Sequence, residues 1–128
     1  MLIIPSENQE QRALVKWVKL QPKLREFIMK LDNEGKRTPG QGWNAKLMGL
    51  LPGASDLFLA YPSGGYCGCW IECKRNKKYT PSQMKTESWI NQEIFQNNMK
   101  SVGFHAFFAF GLMDGINKIL EYLDDKPS

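Results

Sequence analysis

The tetrapeptide Pro62-Ser63-Gly64-Gly65 constrains this chain more than any other feature. Two adjacent glycines supply the positive φ values that a tight hairpin needs. A strand-like run lies on either side, Asp56 to Tyr61 before the turn and Tyr66 to Lys74 after it. The turn therefore predicts an antiparallel pair. Side chains alternate across a strand, so Ile71 and Cys73 face a core while Glu72 and Lys74 share the opposite face. Folding back at Ser63-Gly64-Gly65 brings Asp56 near the Glu72 end. Asp56, Glu72 and Lys74 are thus expected to converge on one point.

The flanking segments predict helices and one more buried strand. Ser6 caps a helix from about Glu7 to Gln21, Gln9 stands three residues later as in a capping box, and Pro22 follows its end. Leu14, Trp17 and Val18 form its apolar stripe. At 3.6 residues per turn Glu7 points within about 20° of Leu14, so it is predicted to face the body of the protein. Glu10 lies near the same stripe, and Gln11 aligns with Val18. Leu24 to Leu31 fits both helical and strand periods and reads as a helix breaking into a strand. Asn33 to Gly42 reads as a polar loop, and Trp43 to Leu51 as a short helix ended by Pro52-Gly53. Thr80-Pro81-Ser82-Gln83 opens a long helix to about Val102, with Gly103 as its C-terminal cap. Phe104 to Phe110 has the pattern of a strand covered on both faces, and Ile116, Ile119, Leu120 and Leu123 mark a closing helix. The predicted fold class is α/β, a mixed central β-sheet flanked by helices.

Composition narrows the function classes. The 128 residues are 42% apolar and 23% charged, as in an ordinary globular chain, and are expected to form one domain over 1–128. No run approaches the ~18 apolar residues of a membrane span, so no membrane partner is expected. The opening Met-Leu-Ile-Ile-Pro lacks the basic flank and length of a signal peptide. With three cysteines in one short segment, that predicts reduced thiols and a cytoplasmic, non-secreted location. A zinc site is disfavoured, because Cys67, Cys69 and Cys73 form no C-x-x-C pair and His105 is the one histidine. All three cysteines are expected as small buried hydrophobes, and His105 as a structural residue of its strand. The net charge of +4 favours a polyanionic partner only mildly.

Carboxylates with a lysine two residues on suit hydrolysis of a phosphate ester. Hard cations such as Mg²⁺ take oxygen ligands and keep waters for phosphate oxygens. The lysine orients or deprotonates the attacking water and offsets charge developing at phosphorus. Two carboxylates ~5 Å apart repel by roughly 3 kcal/mol at an effective dielectric of 20, which a divalent ion relieves. A lone Asp-x(n)-Glu-x-Lys triplet also fits a solvated strand edge. Here it begins beside a Pro-Gly turn, spans a hairpin and ends at the basic loop Lys74-Arg75-Asn76-Lys77-Lys78.

In this context the chain resembles a stand-alone VRR-NUC (virus-type replication-repair nuclease) domain of the PD-(D/E)xK nuclease superfamily. The resemblance runs from about Glu7 to Leu123. It rests on Glu7-x-x-x-Gln11, Asn33-Glu34-Gly35-Lys36-Arg37, Gly49-Leu-Leu-Pro-Gly-Ala-Ser-Asp56-Leu-Phe, Trp70-Ile-Glu72-Cys-Lys74, and Ser82-Gln83 opening the following helix. Gly103-Phe104 matches the family's step into its last core strand. Cys73 replaces a more usual aliphatic residue, and Pro-Gly-Ala-Ser-Asp replaces Pro-Asp. The resemblance implies a restriction-endonuclease-like core in αβββαβ order. It implies Asp56, Glu72 and the Cys73 main-chain carbonyl as ligands of Mg²⁺ or Mn²⁺, with no organic cofactor. Lys74 would position the water, Gln83 would support the site, and Glu7 or Glu10 would complete the acidic cluster. Two of these have structural alternatives: Glu7 suits a helix N-terminus, and Gln83 suits the capping box of Thr80.

The implied activity is a metal-dependent, structure-selective DNA endonuclease acting on duplex, branched, flap or junction DNA in replication, repair or recombination, in a bacterial or virus-infected cell. Such stand-alone domains tend to be homodimers. Lys36, Arg37, Lys46, Arg75, Lys77 and Lys78 flank the site in sequence and are the candidate phosphate contacts. Trp43 and Tyr79 are candidates for stacking on a base. Three alternatives stand beside this expectation: a sequence-specific restriction-type endonuclease, a non-catalytic nucleic-acid-binding module on a nuclease fold, and a structural protein whose acidic face pairs with its own lysines.

Overall fold

The computed structural model of the chain describes residues 3–31, 48–49 and 51–124. Helix α1 spans Glu7–Lys19, with Ser6 and Gln9 forming the expected capping box. A run of turns carries the fully buried Leu24 into strand β1, Ile28–Lys30. Strands β2, Leu57–Leu59, and β3, Cys69–Lys74, form the hairpin; its tip is an isolated Ser63–Tyr66 bridge with Gly64 and Gly65 at φ 58° and 87°. Both strands are shorter than the apolar runs predicted. Helices α2, Pro81–Met84, and α3, Glu87–Ser101, then cross to strand β4, His105–Phe110, and α4, Leu112–Leu123, closes the chain.

The single long helix expected from Thr80 to Val102 is two helices. Thr86 adopts an extended conformation and caps the second one, its hydroxyl accepting from Trp89 N and donating to Gln83 O. A β-branched residue with a capping hydroxyl competes with the helix interior, and here the cap wins. The predicted loop over 33–42 and six of the nine residues of the predicted helix over 43–51 lie outside the described residues.

Among the described residues four strands form one sheet in the order β1-β2-β3-β4. The first two pairings are antiparallel and the last is parallel, which requires the α2–α3 crossover. Helices α1 and α4 cover one face. There Leu14, Val18, Ile119 and Tyr122 pack on Leu57, Leu59, Cys69, Ile71, Cys73, Phe107 and Ala109. Gly115 admits this close crossing, since a Cβ there would stand 3.0 Å from Leu14 Cδ2. Helix α3 covers the other face with an aromatic layer. Trp70 meets Phe58 at 4.4 Å and Phe95 at 5.0 Å, and Trp89 stacks on Phe108 at 5.2 Å. Strand β4 is therefore covered on both faces, as its unbroken apolar pattern predicted. His105 is a half-buried structural residue, stacked on Tyr122 at 5.7 Å; burial and the Lys100 charge lower its pKa. No helix among the described residues is long and apolar enough to cross a membrane.

Candidate active site

The hairpin register sets the two central carboxylates side by side. Leu57 pairs with Ile71, and one further step of the same register puts Asp56 across from Glu72. Directly opposed antiparallel residues point to the same face, with Cβ atoms about 5 Å apart. Asp56 and Glu72 are each 3% exposed and Lys74 is 7% exposed. Glu72 and Lys74 alternate with the buried Cys73, so they share the α3 face with Trp70. Asp56 is also tied to β1, its carbonyl accepting from Leu31 N at 2.8 Å.

Lys74 is held from α3. Its Nζ donates to Gln92 Oε1 at 2.7 Å and stands 4.4 Å from the Trp89 ring centroid and 5.6 Å from that of Phe108. An ammonium group clamped by an amide oxygen and two ring faces keeps its charge in a fixed place while losing bulk water. The loop before Asp56 presses on the same helix. Gly53 has φ 78°, and a Cβ there would lie 2.3 Å from both the carbonyl carbon and oxygen of Asn91. Only glycine allows that approach, which sets the spacing between Asp56 and the Gln92–Lys74 pair. Next to Asp56, the Ser55 hydroxyl is fully buried with no hydrogen-bond partner among the described residues.

Two more carboxylates, on α1, act electrostatically on Cys73. Burial pushes the Cys73 thiol pKa far up, and the charges of Asp56, Glu72, Glu7 and Glu10 push it further. All four acids therefore lie within electrostatic range of Cys73. Glu10 is the buried one of the α1 pair at 9% exposure, and its Oε2 lies 2.6 Å from where a Gly111 Cβ would stand. Glu7 is exposed, contrary to the inward orientation predicted for it. It shares the helical stripe of Leu14, but it is the first residue of α1, and burial on that helix begins only at Glu10. Its charge still acts on Cys73 and on Tyr79.

The other expected residues fall in several places. Gln83 is exposed, and its Oε1 accepts from Thr80 N at 2.8 Å, so it serves the capping box. Arg75 clasps the start of the chain, donating to the Ile4 and Pro5 carbonyls at 3.1 and 3.2 Å. Lys77 lies over the Tyr79 ring, and Lys78 is exposed. Tyr79 is not a free stacking face. Its hydroxyl accepts from Arg75 N, and its ring packs on Trp89 at 5.1 Å and Phe110 at 6.0 Å. Cys69 and Cys73 are buried as expected, but Cys67, two residues before the start of β3, is exposed. Lys36, Arg37, Trp43 and Lys46 lie outside the described residues. Gln92 and Trp89 were missed. Trp89, Gln92 and Gln96 recur at helical spacing, which puts them on one helix face but does not show that this face meets Lys74; the family resemblance pointed to Gln83 instead.

The donor set suits a hard cation, with carboxylates, an orphaned buried hydroxyl and a main-chain carbonyl at one strand end. Among the described residues, however, no three His, Cys, Asp or Glu side chains already stand in a metal-holding group. No protein-family model matches the chain, and no curated protein matches it. A solved structure described as a VRR_NUC domain protein does match, with a TM-score of 0.73 and 25% identity, over 95% of this chain and 91% of that one. This chain therefore has the fold of a VRR-NUC domain, a mixed four-stranded sheet flanked by helices.

Proposed function

We propose that this chain is a divalent-metal-dependent DNA nuclease that cuts branched, flap or junction DNA by phosphodiester hydrolysis. The observation that carries the reading is the burial of Asp56, Glu72 and Lys74 at adjoining strand ends on one sheet face. The fold shared with a VRR_NUC domain protein supports it. Asp56, Glu72 and the Cys73 carbonyl would hold Mg²⁺ or Mn²⁺, with Glu10 or Glu7 completing the acidic shell. The cation would supply an acidified water and Lewis-acid stabilisation. The Lys74 ammonium orients that water and offsets negative charge as it develops on the phosphate. Gln92 and Trp89 fix where that ammonium sits. With so little surface for reading base edges, the protein selects DNA shape over sequence. As a homodimer it would present two such sites to two strands.

Labelled duplex, flap and four-way-junction DNA should be cut in Mg²⁺ or Mn²⁺ but not in EDTA, with branched forms favoured. Lys74→Ala should keep DNA affinity and lose cutting. A second reading, a DNA-binding module without catalysis, is favoured by the lack of a ready three-ligand group among the described residues. Wild-type protein that binds these DNAs yet cuts none of them with either metal would establish that second reading in place of the first.

A further inference from the structure

Helix α1 and strand β1 enclose a second charged feature, a groove of about 550 Å³ lined by Gln11, Arg12, Val15, Lys16, Lys19, Leu20 and Lys30. Arg12, Lys16 and Lys19 fall within about 60° of one another around the helix, at 3.6 residues per turn, and Lys30 faces them from β1. All four cations are exposed. Among the described residues none of them has an ion-pair partner; the pairs present are Arg25–Glu26 and Lys118–Asp114. Within α1 the neighbours of these cations at three and four residues include no acid, and Arg12–Lys16 and Lys16–Lys19 are like-charge pairs that weaken a helix. Lys16 and Lys19 suit the last turn of α1, but Arg12 is mid-helix and Lys30 belongs to a strand, so the dipole does not account for the set.

The groove lies on the α1 side of the sheet, and its residues neighbour those of the acidic site along the chain. Gln11 follows Glu10, while Lys30 pairs with Leu57, and the next residue, Leu31, bonds to Asp56. From Gln11 to Leu20 the groove wall runs about 14 Å, the rise of nine helical residues, long enough to meet more than one phosphate of a strand. We propose that this groove is a DNA-backbone track: it holds DNA that continues past the Asp56–Glu72 site, its four cations contacting backbone phosphates. The inference rests on the DNA-acting reading above and extends it to residues outside the loops that flank the site in sequence.

Neutralising four phosphate-contacting cations should lower the slope of log affinity against log salt by about 3.6 for a duplex. The test compares wild type with the variant carrying Arg12→Gln, Lys16→Gln, Lys19→Gln and Lys30→Gln, using a fluorescent duplex in EDTA from 50 to 200 mM salt. A parallel measurement acetylates wild-type lysines with and without the duplex, which keeps the test independent of how the variant folds. The track predicts the slope loss and DNA protection of Lys16, Lys19 and Lys30, with Lys100 on α3 unprotected. An unchanged slope, or equal acetylation of those three lysines with and without DNA, overturns it even if cleavage is normal. Slope loss and protection in a protein that cuts no DNA would leave the track standing and refute the nuclease.

Discussion

Gly53→Ala tests how the hairpin loop and α3 jointly fix the site. Two effects are separable. First, Gly53 has φ 78°, which costs an alanine roughly 1–2 kcal/mol. Second, the added Cβ would sit 2.3 Å from the Asn91 carbonyl atoms and 2.7 Å from Gln92 N. These are backbone atoms of a helix, so no side chain can swing aside. Ordinary contact needs more than 1 Å of extra separation, and such overpacking typically costs about 1–3 kcal/mol. The total is roughly 2–5 kcal/mol. Gly65→Ala is the control, with φ 87° and nothing within 4 Å of the added atom, so it bears only the first cost. Urea unfolding should place Gly53→Ala below Gly65→Ala by about 1–3 kcal/mol. The displacement also separates Asp56 from the Gln92–Lys74 pair, and a shift near 1 Å costs on the order of 100-fold in rate. Gly65→Ala, at the hairpin tip, should leave cutting unchanged. Equal stability and equal activity of the two variants would refute the loop-on-helix account of the site.

Three further outcomes are expected. Gln92→Leu should lower kcat for DNA cutting while leaving DNA affinity unchanged, since it frees the Lys74 ammonium without removing its charge; parallel losses in both would contradict a positioning role. Ile71→Ala should cost about 2–5 kcal/mol by urea unfolding, because the side chain is fully buried in the α1–α4 core. Cys67 should react with a thiol reagent in the folded protein, while Cys69 and Cys73 wait for unfolding, burial having raised both of their pKa values. Raised thiol pKa values mean that above about pH 8.5 the unfolded chain loses protons that the folded one keeps. Stability should therefore be intact below that pH and fall above it, by up to about 1.4 kcal/mol per pH unit for each buried thiol, and Cys73→Ala should make the decline shallower.

The fold was largely legible where local chemistry and global packing agree. Gly64-Gly65 announced the hairpin, Ser6 and Gln9 announced α1, and the unbroken apolar run to Phe110 announced a doubly covered strand. The placing of Asp56, Glu72 and Lys74 on one sheet face followed from strand alternation and one turn. What was hidden depends on tertiary distance. Helical angle alone put Glu7 inward, but angle does not tell how far along a helix the packing extends, and Glu10 is the acid that becomes buried. The break at Thr86 turns on a single hydroxyl choosing between interior and cap. Gln92 was overlooked because its importance comes from the approach of Gly53 and Lys74 to one turn of α3, a meeting that sequence spacing does not encode. In the α1–β1 groove Lys30 stands eleven residues beyond Lys19, the nearest of the other three cations, so no local run reveals the set.

The central claim, that Asp56 and Glu72 share one divalent ion, is most directly tested by titrating the protein with Mn²⁺ and following free metal by paramagnetic resonance. The account predicts saturable binding by wild type that is lost in both Asp56→Asn and Glu72→Gln, each confirmed to be folded. Mn²⁺ binding that persists unchanged in both variants, or is missing from wild type in the presence and absence of DNA, would contradict it.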